Sequence, residues 1–183
     1  MVTRPFMPIT HAPGVLIPEE PQQFDIAGDS PPIQLGDWTL TPLASYIVKA
    51  RVLATKRYRS DPTSDIAPRD LLLGWGPMSD SAVVNTIAFR QNNRFGFWTF
   101  GSGCPLPESE ISRHAANTHL IPANESVRRR IDSLKVGSLV RLRGQLVEAR
   151  HADGGSPWKS SLSRTDCGDG ACEIIYVESV LEL

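Results

Sequence analysis

The run Leu139-Val140-Arg141-Leu142-Arg143-Gly144-Gln145-Leu146-Val147-Glu148-Ala149 decides how this chain is read. Leu139, Arg141, Arg143, Leu146 and Glu148 stand against Val140, Leu142 and Val147. Such alternation of period two belongs to a strand. Gly144 interrupts it, as a bulge or a sharp bend in a curved strand does. Just upstream, Asn124 is placed to cap a helix whose Val127, Ile131 and Leu134 form one apolar stripe. Arg128, Arg129, Arg130 and Lys135 fall largely on the other side, and Gly137 ends the helix.

Working outward, Tyr46, Val48, Ala50, Val52 and Ala54 alternate with Lys49, Arg51 and Thr55, which gives a second long, half-buried strand. Residues 58–66 are polar, contain Pro62 and read as a loop. Ala67 to Leu73 reads as a short helix with Pro68 in its first turn and Gly74 at its end. Ser79 is placed to cap a second helix running through Val84. Strands follow near Ile87–Arg90 and Phe95–Phe100, then a helix over Ser109–Ala116 and a short apolar step at Leu120-Ile121. After the Asp153-Gly154-Gly155 turn come strands at Trp158–Leu162 and Cys172–Val180. Five to seven strands with little helix imply an α+β fold, mainly β: a small bent β-barrel with three or four short helices. The helix, glycine, long bent strand and closing hairpin resemble OB-like barrels in architecture.

Residues 1–32 hold seven of the fifteen prolines. Proline fixes φ and removes a donor, which leaves an extended arm without regular helix or interior strand. Val15, Leu16 and Ile17 are the arm's docking candidates. Residues 33–183 form the single barrel-like domain.

The 183 residues carry 19 basic and 20 acidic side chains. That balance disfavours sequence-independent nucleic-acid binding, which rests on a basic surface. The basic set Arg128, Arg129, Arg130, Lys135, Arg141 and Arg143 reads as a solvated face rather than a phosphate grip. No run approaches the roughly 18 apolar residues of a spanning helix, so the default location is cytoplasmic. Three cysteines, Cys104, Cys167 and Cys172, form no CxxC pair. No metal and no cofactor is expected.

Three polar stretches carry the candidate binding residues. Gly74-Trp75-Gly76-Pro77-Met78-Ser79-Asp80 places a tryptophan between glycines, either as a stacking platform or as a plug for the barrel end. Ser79 and Asp80 are most simply helix caps. The second stretch, Arg113 to Ala123, contains His114, Asn117 and His119. They either supply a general base and its partner or tie a loop to backbone groups. Its His-Leu-Ile-Pro-Ala segment looks superficially like the histidine region of ββα-metal nucleases, but those sites need a ligand on the following helix, whose faces here carry arginine and apolar residues apart from Asn124 and Glu125. The third stretch gathers Trp158, Ser160, Ser161, Arg164 and Asp166, and leads through Gly168-Asp169-Gly170 to Cys172 and Glu173. It reads as an oxyanion cradle or as a self-satisfied hairpin. The leading expectation is a non-catalytic binding or accessory module, its partner a protein or a small ligand. The alternative is a hydrolase or transferase using Cys172 and His119, with Arg164 stabilising an anion. That histidine-then-cysteine order is similar to sortases, although no arginine follows Cys172.

In combination these motifs resemble a bacterial protein family without an established activity. The resemblance is carried by Pro13 to Pro18, Thr41 to Ala44, Ala50 to Leu53, Pro68 to Asp80, Ala116 to Ala123, Val140 to Val147 and Trp158 through Glu173. Some of its members follow an N-terminal hydrophobic anchor, which implies an envelope location as the alternative to the cytoplasm. The family usually has threonine where Cys167 stands, which weakens a Cys167–Cys172 disulfide.

Overall fold

The computed structural model describes residues 7–26, 30–163 and 171–183. In chain order the strands are β1 (Gln22–Asp25), β2 (Ile33–Leu35), β3 (Trp38–Arg57), β4 (Arg69–Gly74), β5 (Ile87–Asn92), β6 (Phe95–Phe100), β7 (Ala115–Pro122), β8 (Leu139–His151), β9 (Trp158–Lys159) and β10 (Glu173–Glu182). The helices are α1 (Ser81–Val84), α2 (Glu108–Arg113) and α3 (Glu125–Ser133), and a 3-10 turn spans Gly76–Ser79. The fold is mainly β, with few helices.

The long alternation around Tyr46 lies within β3, which is 20 residues long. Its register slips between Pro42 and Ala44 against β8, and between Val52 and Ala54 against β4. Pro42 has no N–H to give the ladder, and an irregular position tolerates that. The bent strand pairs with β8 through its first two-thirds and with β4 at its end. β4 pairs with β7, β7 with β10 and β10 with β8, so five strands close a ring: β3-β4-β7-β10-β8-β3. Of these pairings only β7 with β10 is parallel. The inward-facing Tyr46, Val48, Leu71, Leu120, Leu142 and Ile175 fill the ring. Val127 and Ile131 of α3 join that core, as does Leu134 just past its end, and Asn124 Oδ1 accepts from Val127 N at 3.0 Å.

Gly144 does bring a close approach, but the irregularity falls on its partner, between Val177 and Ser179 of β10. A Cβ at Gly144 would sit 1.9 Å from Tyr176 O. The expected bulge is therefore displaced to the opposite strand.

Four expectations are corrected. Residues 67–73 are not a helix: Arg69–Gly74 is β4, and its Leu71-Leu72-Leu73 run is apolar on both faces. Leu71 and Leu73 enter the ring. Leu72 packs outside it against Met78, Val84, Ile87 and Ile111 of the segment joining β4 to β7. The helix expected over 109–116 ends at Arg113, and Ala115 already pairs with Gly74. The Leu120-Ile121 step belongs to β7, and so do Asn117 and His119. The strand expected over 158–162 is confined to Trp158–Lys159.

The arm crosses the body in extended form. Ile9 N donates to Val136 O at 2.8 Å, and Gly76 N donates to Ile17 O at 2.7 Å. Of its three docking candidates only Ile17 is buried. β1 then adds an edge strand to β3, a place a proline-rich stretch can reach. Among the described residues no helix is long and apolar enough to cross a membrane.

Candidate functional site

β5 and β6 form a hairpin lying on the outer face of β4 and β7. Its tip is Asn93-Arg94, with φ of 48° and 69°. Two positive φ values in a two-residue loop match the twist of the flanking strands. Asparagine accepts that conformation readily; arginine does so at a cost of roughly 1 kcal/mol or more. The cost is offset by where the guanidinium goes. Arg94 Nη1 donates to Asp70 Oδ1 at 2.7 Å and to Ala67 O at 2.9 Å, and Nη2 donates to Asp61 Oδ1 at 2.7 Å. The guanidinium lies 3.9 Å from the centre of the Tyr58 ring, and Tyr58 OH accepts from Arg94 N at 3.0 Å.

Asp70 is fully buried, and its second oxygen lies 3.0 Å from His119 Nδ1. Despite that proximity, neither atom has a hydrogen-bond partner among the described residues. The Trp158 ring packs against the imidazole, centroids 4.8 Å apart. Burial works to raise the Asp61 carboxyl, but the bonds from Arg94 and Thr63 outweigh it and hold the group below its usual value. Burial lifts the Tyr58 hydroxyl above its usual value. On the other side of the hairpin tip, Asn117 Nδ2 donates to Arg94 O at 2.8 Å, and Asn117 Oδ1 accepts from Gln91 Nε2 at 2.7 Å.

Beside this latch opens a cleft of about 490 Å³. Phe95, Phe97 and Trp98 of β6 line it, and so does Trp75. Asn117, Cys172 and Glu173 line its polar part, and Glu108 and Arg113 of α2 also border it. The lining is mainly apolar with a few polar groups, the usual composition of a small-molecule site. Cys172 Sγ is 3.7 Å from Asn117 Nδ2 and 3.9 Å from Arg94 O. The adjacent placement follows from the parallel register, in which Glu173 stands beside Thr118 and Ile174 beside His119.

The three expected stretches therefore contribute unequally. Trp75, Asn117, Cys172 and Glu173 meet at the cleft. His119 and Trp158 join the Arg94–Asp70 latch, and His119 sits on a strand, 3 % exposed, rather than in a loop. Ser79 and Asp80 hold the arm: Leu16 N and Ile17 N both donate to Ser79 Oγ at 3.0 Å, and Gly14 N donates to Asp80 Oδ1 at 2.8 Å. The cap of α1 is Asp80, through Ala82 N, and not Ser79. Ser160 and Ser161 bind backbone: Ile174 N of β10 donates to Ser160 Oγ at 3.0 Å, and Ser163 N donates to Ser161 Oγ at 2.9 Å. Arg164 and Asp166 lie outside the described residues, as does Cys167 of the considered disulfide. Of the basic set, Arg128 and Arg129 pair with Glu125. Among the described residues no group of three His, Cys, Asp or Glu side chains is placed to hold a metal ion.

Sequence reasoning overlooked Arg94, Asp70 and Asp61, and the aromatic residues of β6. Two signals pointed to them. Asn92-Asn93-Arg94 between two short strands marks a hairpin tip. An aspartate ahead of three leucines in a buried strand requires a partner. Comparison of the chain with family models, curated proteins and solved structures finds no match.

Proposed function

We propose that this chain is a non-catalytic binding module whose working surface is the cleft between β6 and the β7–β10 edge. The observation that carries this is the meeting of Trp75, Asn117, Cys172 and Glu173, from three remote parts of the sequence, along one largely apolar cleft. The scaffold is read as an OB-like barrel. Its support is the ring order, the single parallel pair, and a helix between the third and fourth ring strands. In such barrels the face of the second and third strands seats extended ligands; here those strands are β4 and β7. The β5–β6 hairpin covers much of that face and leaves a compact cleft, which suits a small ligand better than a polymer. The near-neutral charge also argues against nucleic acid. Membership of the bacterial family named above, and a cytoplasmic or envelope location, belong to the same proposal.

The alternative, a hydrolase or transferase using Cys172 and His119, has weaker support. Asp70 engages the His119 imidazole, and the contacts seen at the Cys172 sulfur are Asn117 and the Arg94 carbonyl. Chemical-shift mapping of a fragment-sized compound collection tests the binding reading. Binders should shift Gly96, Asn117 and Cys172 amides together and compete with one another. A collection whose binders all map elsewhere, or that yields none, rejects it.

A further inference from the structure

We infer that the outer face of β3 and β8 is a surface on which two copies of this chain associate about a twofold axis. The depression at its centre shares no lining residue with the cleft, and the inference stands apart from the binding reading. The face is built from two rows. Gln22, Ile47, Arg143 and Ser179 are neighbours across β1, β3, β8 and β10, and Lys49, Arg141 and Leu181 form the next row. Arg141, Arg143, Ser179 and Leu181 are all exposed, Leu181 by 51 %.

Charge is sorted by sign across β3. Lys49 and Arg141 are direct cross-strand neighbours of like charge, a placement that is unfavourable unless an anion offsets it. Glu19 of the arm offsets Lys49, at 2.9 Å. Arg141 and Arg143 form no hydrogen bond or ion pair among the described residues, and neither does Glu20 on the arm side. Glu20, Ile47, Lys49 and Arg141 border one shallow depression of about 320 Å³. The free cations thus lie on the β8 side of Ile47 and the free anion on the arm side. In a twofold contact both copies present the same patch, so the patch needs both signs, placed on opposite sides of the axis. An axis passing near Ile47 sets Arg141 and Arg143 of each copy against Glu20 of the other, with the two Ile47 side chains between them. A uniformly acidic or uniformly basic partner would meet repulsion on one side. The net charge of -1 leaves little general repulsion between copies.

Sedimentation velocity of the full chain at low ionic strength, from about 10 to about 200 µM, is the test. The sedimentation coefficient should rise with concentration from that of a monomer toward that of a dimer. Reversing the cations together, Arg141→Glu with Arg143→Glu, should weaken association about tenfold or more, and so should Glu20→Arg. Mixed in equal amounts, the two altered proteins should associate again, because opposite signs then meet at both contacts. Should an altered chain not fold, dilution of the unaltered chain decides: the Ile47, Arg143 and Leu181 amide resonances should shift, and shifts confined to other surfaces overturn the inference. A chain that stays monomeric throughout the range overturns it too. So does self-association that neither reversal weakens, or folded altered chains that fail to associate on mixing.

Discussion

Arg94 Nη1 stands 2.7 Å from Asp70 Oδ1, and Asp70 has no exposed surface. This single contact ties the tip of the β5–β6 hairpin to the second strand of the ring. It also sets the position of the β6 residues that line the cleft.

Removing the arginine leaves a buried carboxylate with His119 as its remaining charged neighbour among the described residues. Arg94→Ala should therefore destabilise the chain by about 3–5 kcal/mol in urea unfolding. Arg94→Gly loses the same contacts but relieves the positive φ, and should be less harmful than the alanine by about 1 kcal/mol. Asp70→Asn combined with Arg94→Ala should cost clearly less than the two single changes added together. Strict additivity would show that the latch is not a coupled unit.

The Asp61 carboxyl, held below its usual value by Arg94 and Thr63, makes the latch sensitive to acid. A group depressed in the folded state contributes stability that is present above its unfolded value and is lost as the pH falls through the folded one. The unfolded reference is near 3.8. Stability should thus decline as the pH drops below about 4, and Asp61→Asn should flatten that decline. Unfolding midpoints for both proteins across this range provide the measurement. Parallel curves would show that Asp61 is not the titrating group.

Ser79 carries the arm. Its hydroxyl accepts from two arm amides and donates to Gly76 O at 2.7 Å. Ser79→Ala should cost about 1–3 kcal/mol, the penalty for orphaned buried donors. It should also speed hydrogen exchange at Leu16 and Ile17 while leaving Leu142 and Ile175 protected. Unchanged exchange at the two arm amides would contradict this role.

The legible parts of the fold were those with one buried face. β3 and β8 alternate because one side of each faces the ring core, and α3 shows its stripe for the same reason. β4 was misread because Leu71, Leu72 and Leu73 are apolar on both faces, one toward the ring and one toward the β4–β7 connection. A strand covered on both sides loses its period, and Pro68 then imitates a helix start. β7 was misread for the opposite reason. Asn117 and His119 are polar residues on a buried outer face, so the strand looked like a loop. Their partners, Arg94 and Asp70, are remote in sequence, and no local pattern could reveal the pairing. Trp75, Asn117, Cys172 and Glu173 were singled out by residue type alone, and only the parallel β7–β10 register brings the last three side by side.

The ring is completed by β10, which slots between β7 and β8 and is the last of its strands to be synthesised. Until that segment has left the ribosome, the earlier strands expose unpaired edges and the core stays open on one side. Such long-range closure is slow and prone to aggregation. Stalled or prematurely released chains should therefore be the main clients of chaperones and proteases, even where the finished protein is stable.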